Sequence, residues 1–281
     1  MRTTLIAALV CIANLLLPRS HAQYAEAAEK QLAFLRTQAE KGDAQAQSQL
    51  ADAYFAGRFG LATNVAEAVN WLRKAAAQNV AAAQYNLGAC YANGLGVTND
   101  QVEAVRWIRK AAEQNHAAAQ SNLGVCYHMG QGVEKDLTEA VKLYQKAAEQ
   151  DFAGAQYNLA HLYMDGEGVE KNEAEAVKWL RKAADQGDPN AQFKLAVCLA
   201  FGRGVPQDSV AAYVWAGLAA GSVEPAPRLR EQLAKEMTPE QITAAYWRTK
   251  ELRANIEAKL KISGSKYIPS ESILMKPDLK E

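Results

Sequence analysis

The sequence has little cysteine, with four cysteines among 281 residues. Cys11 lies in an apolar segment at the amino end, and the rest of the chain contains Cys90, Cys126 and Cys198. Three thiols allow at most one intramolecular disulfide, which excludes a small fold stapled by several bridges. We expect all three to be reduced and packed in the core.

A net charge is also absent, because 31 Lys and Arg residues balance 31 Asp and Glu residues and no basic block occurs. Proteins that bind nucleic acid through phosphates, or anionic membranes through lysines, need an excess of positive charge. We therefore expect no nucleic-acid partner. Hydrophobic residues make up 49% of the chain, which is enough for the core of a soluble globular or solenoid protein.

The apolar run at the amino end, residues 5–17, is shorter than the roughly 18 residues of a membrane-spanning helix. Arg2 precedes it, and Ser20 and Ala22 occupy the −3 and −1 positions of a small-residue cleavage site. This order is typical of a cleavable signal peptide. We predict that residues 1–22 are removed, and a retained membrane anchor is the alternative.

Cleavage after Ala22 predicts a mature protein that begins at Gln23 and has no integral membrane span. We therefore expect a periplasmic or secreted location. The sequence has no Asn-x-Ser/Thr sequon and no disulfide framework, which favours a bacterial envelope over a eukaryotic secretory route.

The rest of the chain is organised by a repeat of 36 residues. Three consecutive units begin VAAAQYNLGACYANGLGV, HAAAQSNLGVCYHMGQGV and FAGAQYNLAHLYMDGEGV. Less regular units stand at both ends, as is common for the end units of a solenoid. The five predicted units are residues 43–79, 80–115, 116–151, 152–187 and 188–221.

Each unit is predicted to form two helices, A and B. In the second unit, Ala83, Leu87 and Tyr91 form one apolar stripe on helix A. Gly88 allows a neighbouring helix to approach closely, and Gly94 ends the helix with a left-handed backbone conformation. Both helices are short enough to need their neighbours for stability.

Helix B of the same unit is QVEAVRWIRKAAEQ. Its inward face is predicted to contain Ala104, either Trp107 or Ile108, and the pair Ala111 and Ala112.

The pattern AxAQxxLGxxYxxGxGVxxDxxEAVxWxRKAAEQ resembles the Sel1-like repeat, a relative of the tetratricopeptide repeat, over residues 43–221. This resemblance implies an all-α, right-handed α/α superhelical solenoid with helical caps. It also implies a scaffold or adaptor for other proteins, with no catalytic residues common to the family. The same resemblance implies that helix A lines the concave groove.

The flanking segments are expected to cap the solenoid. Residues 23–42 resemble a lone helix B, and residues 222–262 are predicted to form capping helices. Thr238, followed by a proline and by Gln241 three positions later, is typical of a helix start. We predict that the tail at residues 263–281 is disordered.

Recurring glycine pairs and acidic pairs could suggest chemistry, but both fit repeated local structure. The glycine pairs lack the strand and third glycine of a dinucleotide site and are predicted to be turns between helices. The acidic pairs are predicted to be capping boxes, in which the second residue reaches back to the first. They are Asn64 with Glu67, Asp100 with Glu103, Asp136 with Glu139, and Asn172 with Glu175.

No catalytic or metal-binding constellation is apparent in the sequence. No two histidines are spaced as ligands on one helix turn, and the three cysteines share one repeat position, which separates them by about 8–10 Å. No serine has the setting of a nucleophile elbow. We therefore predict no enzyme, no metal site and no cofactor.

The candidate ligand site is the outward face of helix A. Aromatic residues recur there as possible anchors, and asparagines recur as possible partners for a peptide backbone. The alternative is that the asparagines belong to the repeat consensus and the aromatics pack on neighbouring helices. The predicted site residues are Tyr85, Asn86, Ser121, Asn122, His128, Tyr157, Asn158, His161 and Phe193.

We predict an exported adaptor that binds a peptide or protein partner in the concave groove, with the convex face as an alternative surface. A second possibility is a module that binds cell-wall or exported polysaccharide, because sugars stack on aromatic rings beside amides and carboxylates. A hydrolase is a third possibility, which a turnover assay with a panel of substrates would test.

Overall fold

A computed structural model describes residues 21–263 of the chain. This part is helical throughout and contains thirteen α-helices, one 3₁₀ turn and no strand, which confirms the all-α solenoid class. None of these thirteen helices is both long enough and apolar enough to cross a membrane. The helices are α1 (His21–Glu40), α2 (Ala44–Ala56), α3 (Val65–Ala77), α4 (Ala81–Asn93), α5 (Gln101–Glu113), α6 (Ala117–Met129), α7 (Leu137–Glu149), α8 (Ala153–Asp165), α9 (Glu173–Asp185), α10 (Pro189–Phe201), α11 (Ser209–Ala219), α12 (Pro225–Ala234) and α13 (Pro239–Ser263).

Five A/B helix pairs follow α1. The A helices are α2, α4, α6, α8 and α10, and the B helices are α3, α5, α7, α9 and α11. The chain forms two compact units, the first ending at Ala83 and the second beginning at Gln84. The predicted signal peptide, 1–22, and the predicted tail, 263–281, lie outside the described residues except for positions 21, 22 and 263.

Side-chain caps begin three of the A helices, α2, α6 and α10, and a glycine in a left-handed conformation follows the A helices. The Asp188 carboxylate accepts a hydrogen bond from the Ala191 N–H at 2.8 Å and so caps the first turn of α10. Gly130 ends α6 with φ +71°, and its N–H donates to the Cys126 carbonyl. Glycine suits this left-handed position because it has no Cβ.

The start of each helix B corrects one sequence prediction. The Asp136 carboxylate does accept from the Glu139 N–H, at 2.9 Å, but Glu139 does not reach back, and that half of the capping box is wrong. The Asp136 N–H donates instead to the Tyr127 carbonyl at the end of helix A, at 3.0 Å. The Glu139 carboxylate is thereby left to pair with Lys142, at 3.1 Å. The corresponding cap N–H groups of Asn64, Asp100, Asn172 and Asp208 also donate to a helix A carbonyl.

The glycine pairs form turns between helices, as predicted. Gly132 lies between α6 and α7 with φ +66°, and a Cβ at this position would collide with the Gln101 carbonyl. Gly168 and Gly204 stand in the same relation to Leu137 and Glu173. In these three turns the second glycine therefore lets the turn pack against the start of helix B in the preceding repeat.

Alanine, leucine and small residues form the core between helices A and B. Leu87 and Ile108 are fully buried, and a Cβ on Gly88 would lie 2.7 Å from Ile108 Cγ1, so this glycine does allow the close helix approach that was predicted. Ile108, rather than Trp107, fills the inward position. Trp107 is half-buried, and its indole N–H donates to Glu103 at 2.8 Å.

Hydrogen-bonded glutamines, which are buried on the A helices, join neighbouring helices within each compact unit. Gln156 on α8 donates to the Ala148 carbonyl of the preceding helix B at 3.1 Å and accepts from Gln186, which ends the following helix B, at 2.8 Å. This network was not among the features predicted from the sequence. The glutamine ladder consists of Gln47 and Gln78 in the first compact unit and, in the second, of Gln84, Gln120, Gln156 and Gln192 on the A helices with Gln114, Gln150 and Gln186 at the ends of the B helices.

The flanking helices continue the same bonding. Gln47 donates to the Ala39 carbonyl of α1 at 3.0 Å, so α1 holds the position of a helix B before the first repeat. At the other end, Thr238 and Gln241 form a reciprocal capping box. The Thr238 N–H donates to Gln241 Oε1 at 2.9 Å, and the Gln241 N–H donates to Thr238 Oγ1 at 3.3 Å.

Candidate functional site

All of the predicted site residues lie on A helices of the second compact unit. The exposed side of these helices is called the helix A face. Tyr85 and Asn86 are on α4, Ser121, Asn122 and His128 on α6, Tyr157, Asn158 and His161 on α8, and Phe193 on α10.

Tyr85 is held by two contacts with the following repeat. Its hydroxyl accepts a hydrogen bond from Asn122 Nδ2 at 2.8 Å, and its ring stacks on His116 with the centroids 5.1 Å apart. Burial raises the pKa of the Tyr85 hydroxyl, while the bond from Asn122 lowers it in part. Tyr85 is therefore a fixed, half-buried ring that joins two repeats.

Two of the predicted residues are buried. Ser121 is 3% exposed and Asn122 is 5% exposed, and the amide of Asn122 is already bound to Tyr85. The predicted row of backbone-binding asparagines therefore reduces to Asn86 and Asn158, which are both half-buried. The sequence could not show this, because the hydrogen bond joins residues in different repeats.

Tyr157 and His161 come together on α8. With Asp165, Lys194 and the thioether of Met164, they line a hollow of about 40 Å³. His161 Nδ1 lies 3.0 Å from Asp165 Oδ2, so the carboxylate holds the imidazole in place. The hollow has room for about one methyl-sized group and offers both a cation and a carboxylate at its edge.

Phe193 and His128 differ in their freedom to bind a ligand. Phe193 is partly exposed and packs against the core of the second unit. His128 Nε2 lies 3.2 Å from Glu167 Oε2, and its ring meets the edge of Tyr144. These contacts tie His128 to the next repeat, whereas Phe193 keeps part of its ring open to solvent.

A large pocket lies in the first compact unit and was not predicted. It has a volume of about 770 Å³, which is in the range of small-molecule sites. Its walls come from α1, α2 and the 3₁₀ turn. The residues that line it are Gln31, Phe34, Leu35, Gln38, Asp43, Gln45, Ala46, Gln49, Asp52, Arg58 and Phe59.

The wall that α1 contributes to this pocket is polar. Gln31 and Gln38 stand where later B helices have the buried residues Ala104 and Ala111, so polar amides face the open space. Phe59, counted from Gly57, takes the position of the second turn glycine and has φ +57°. The available sequence signals were the phenylalanine at a glycine position and the first unit, residues 43–79, which is one residue longer than the 36-residue repeat.

Electrostatics in this pocket centre on one acid and one base. Burial raises the pKa of the Asp52 carboxyl, and the charge of Arg58 lowers it in part. The pocket therefore combines hydrogen-bonding amides, an acid, a guanidinium and two aromatic rings, of which Phe34 is 65% exposed.

The thiols are unsuited to chemistry. Cys90, Cys126 and Cys198 are free and buried, as predicted. Burial raises the pKa of Cys90 to about 11 and that of Cys126 to about 12, so both stay protonated at neutral pH. Among residues 21–263, no cluster of three His, Cys, Asp or Glu side chains could hold a metal ion.

Comparisons with known proteins bear on both the repeat and the fold. The Sel1 repeat family model matches residues 44–80, 81–116, 117–152, 153–188 and 189–221. The crystal structure of a Sel1 repeat protein from Oxalobacter formigenes is 33% identical, with 83% of this chain and 92% of that chain covered and a TM-score of 0.69. A protective antigen of uropathogenic Escherichia coli with an SLR fold is 26% identical, with 89% and 61% covered and a TM-score of 0.56. Comparison with curated proteins gave no match.

Proposed function

The chain belongs to the Sel1 repeat family, and we propose that it is an exported scaffold whose helix A face binds a protein or peptide partner. Sel1 repeat proteins are generally protein-interaction scaffolds rather than enzymes. The observation that carries the proposal is the set of partly exposed aromatics, Tyr85, Tyr157 and Phe193, on equivalent positions of three A helices.

These rings suit binding because the fold already restrains them. Tyr85 is bonded to Asn122, and Tyr157 and Phe193 pack against the core of the second unit. A side chain that is already ordered loses little conformational entropy when a partner binds. Aromatic residues are also enriched among those that contribute most to interface energy.

Polar groups beside the rings would orient a bound peptide. Asn86 and Asn158 are half-buried and sit next to Tyr85 and Tyr157 in sequence. A primary amide both donates and accepts, so it matches the backbone of a peptide. The hollow beside Tyr157 and His161 would receive one small side chain of the partner.

A site-specific crosslink tests this function. A photo-crosslinking amino acid replaces Asn158, and the protein is irradiated in envelope extract, with the same crosslinker at Val102 as a control. Val102 is 68% exposed on α5, a B helix. We expect a partner captured from position 158 only, and lost when Tyr157→Ala and Phe193→Ala are added.

Equal capture from both positions would show that the helix A face is not the binding surface. Unchanged capture by the aromatic double variant would have the same meaning, provided that circular dichroism shows it to be folded.

Export is supported by the sequence pattern of residues 1–22. Mass spectrometry of protein isolated from the native envelope should give a chain that begins at Gln23. A chain that retains residues 1–22 and stays with the membrane fraction would indicate an anchored protein instead.

Polysaccharide binding is a second candidate function, and the pocket of the first compact unit favours it. Sugar sites combine ring faces with amides and carboxylates, and here Phe34 and Phe59 line the same pocket as Gln49 and Asp52. Calorimetric titration with solubilised cell-wall polysaccharide tests this function. We expect Phe34→Ala and Gln49→Ala to abolish the binding heat, while heat that persists in both variants would rule out this pocket.

A further inference from the structure

A hollow of about 270 Å³ lies among α11, α12 and α13, away from the helix A face. Three of the side chains that line it are cationic and none is a carboxylate, although the whole protein has no net charge. The residues that line the hollow are Tyr213, Gly217, Arg230, Tyr246, Thr249, Lys250 and Arg253.

The cations of this hollow have no carboxylate partner among residues 21–263, whereas some other cations of the protein do. Arg106 and Lys142 each form an ion pair with a glutamate on their own helix. Within the described part of the chain, Arg230, Lys250 and Arg253 form no such pair. Their charges are therefore available to an anionic ligand.

Neighbouring groups fix two of the cations in place. Arg230 lies over the buried Tyr213 ring, with 5.1 Å from its Cζ to the ring centroid. Arg253 donates to the Gly217 carbonyl at 2.9 Å. A preorganised guanidinium loses less entropy when it binds a carboxylate, and it can do so through two parallel hydrogen bonds.

Aromatic rings continue from the hollow onto the surface. Tyr246 is 55% exposed and Trp247 is 58% exposed, and the two rings meet edge to face at 5.5 Å. Lys250 lies over the Trp247 ring at 5.2 Å. Tyrosine, tryptophan and arginine are enriched among the residues that contribute most of the binding energy at protein interfaces.

We propose that this hollow binds an acidic peptide segment of a protein partner. A glutamate or aspartate of the segment pairs with Arg230 and Lys250, while the peptide packs across Tyr246 and Trp247. A free inorganic anion would use the cations but not the exposed rings, so the rings favour a peptide. The site is separate from the helix A face, and either could fail without the other.

Fluorescence anisotropy with a short fluorescein-labelled polyglutamate peptide tests the proposal on the purified protein. We expect binding that weakens as salt is added, and no binding of polyglutamine. The double variant Arg230→Gln, Lys250→Gln should weaken binding by about tenfold or more. The matched control Arg106→Gln, Lys142→Gln removes the same charge elsewhere and should leave binding unchanged.

Three further measurements separate the explanations. Tyr246→Ala should weaken polyglutamate binding, whereas Tyr157→Ala on the helix A face should not change it. Inorganic phosphate should compete poorly. Thermal unfolding monitored by circular dichroism confirms that each variant is folded.

Several results would overturn the proposal. If Arg230→Gln, Lys250→Gln and the control Arg106→Gln, Lys142→Gln weakened polyglutamate binding equally, the effect would come from the overall charge of the protein and not from this hollow. Competition by phosphate at the peptide's own concentration, together with no effect of Tyr246→Ala, would identify a site for free anions. Absence of polyglutamate binding at low salt would also refute it.

Discussion

Replacing Gln156 with leucine tests whether the glutamine ladder stabilises the repeat array. Gln156 is fully buried, and the change to leucine keeps its volume but removes the bond to the Ala148 carbonyl and the bond from Gln186. Each bond contributes about 1 kcal/mol, and the stranded polar groups add a desolvation cost. We expect Gln156→Leu to lower the free energy of unfolding by about 2–3 kcal/mol.

Urea denaturation followed by circular dichroism measures this loss. Gln145→Leu is the matched control, because Gln145 is an exposed glutamine on α7 that bonds only Glu149, and its replacement should change stability by less than about 0.5 kcal/mol. The double variant Gln156→Leu, Gln186→Leu should lose less than the sum of its single variants, because both partners of one bond are then apolar. If Gln156→Leu were no more destabilising than the control, the ladder would contribute nothing to stability.

Three other predictions concern the turns and caps of the repeats. His116 Nδ1 accepts from the Ala119 N–H at 3.2 Å, and burial lowers the pKa of His116, so its contribution to stability is present above about pH 6.5 and is lost as the pH falls below that value. Denaturant unfolding measured at several pH values across this range should show that His116→Asn loses less stability on acidification than the unmodified protein. Equal losses would contradict this role of His116. Gly168→Ala places a Cβ against the Leu137 carbonyl at positive φ and should destabilise by about 2 kcal/mol or more, whereas Gly60→Ala, with open space around it, should cost about 1 kcal/mol in the same thermal unfolding assay. Asp136→Ala should cost about 1 kcal/mol through the lost helix cap, while Glu139→Ala should change denaturant stability little, and a large effect of Glu139→Ala would restore the reciprocal capping box.

The sequence predicts the helices and turns well because these depend on local chemistry. An apolar stripe such as Ala83, Leu87 and Tyr91 gives the helix period, and Gly130 and Gly132 identify positions with positive φ. These features recur at one spacing, so each unit confirms the register of the next. The burial of the three cysteines followed from the same register.

Contacts between repeats could not be predicted with the same certainty. Asn122 was expected to face a ligand, but it bonds Tyr85 across 37 residues of sequence. Glu139 was expected to close a capping box, but a carbonyl of helix A takes that N–H. In both cases several partners were chemically possible, and the packing of neighbouring helices selects one.

The glutamine ladder could have been found from the sequence. Glutamine recurs at the same position of all five A helices, next to residues expected to be buried. A polar residue that recurs on an inward face needs hydrogen-bond partners within the fold. The sequence could not identify those partners, because they belong to the preceding and following B helices.

The phenylalanine at position 59 restricts how this array can grow by duplication of a repeat. Later turns carry glycine at the equivalent position because the preceding helix B comes too close for a side chain. A new repeat inserted ahead of the first would face the Phe59 ring and the amides of Gln31 and Gln38, so it could not pack without several substitutions. Copies inserted between interior repeats would meet glycine and alanine on both sides. Duplication of an interior repeat therefore keeps the same glycine and alanine contacts, whereas a repeat added against the Phe59 turn requires substitutions there.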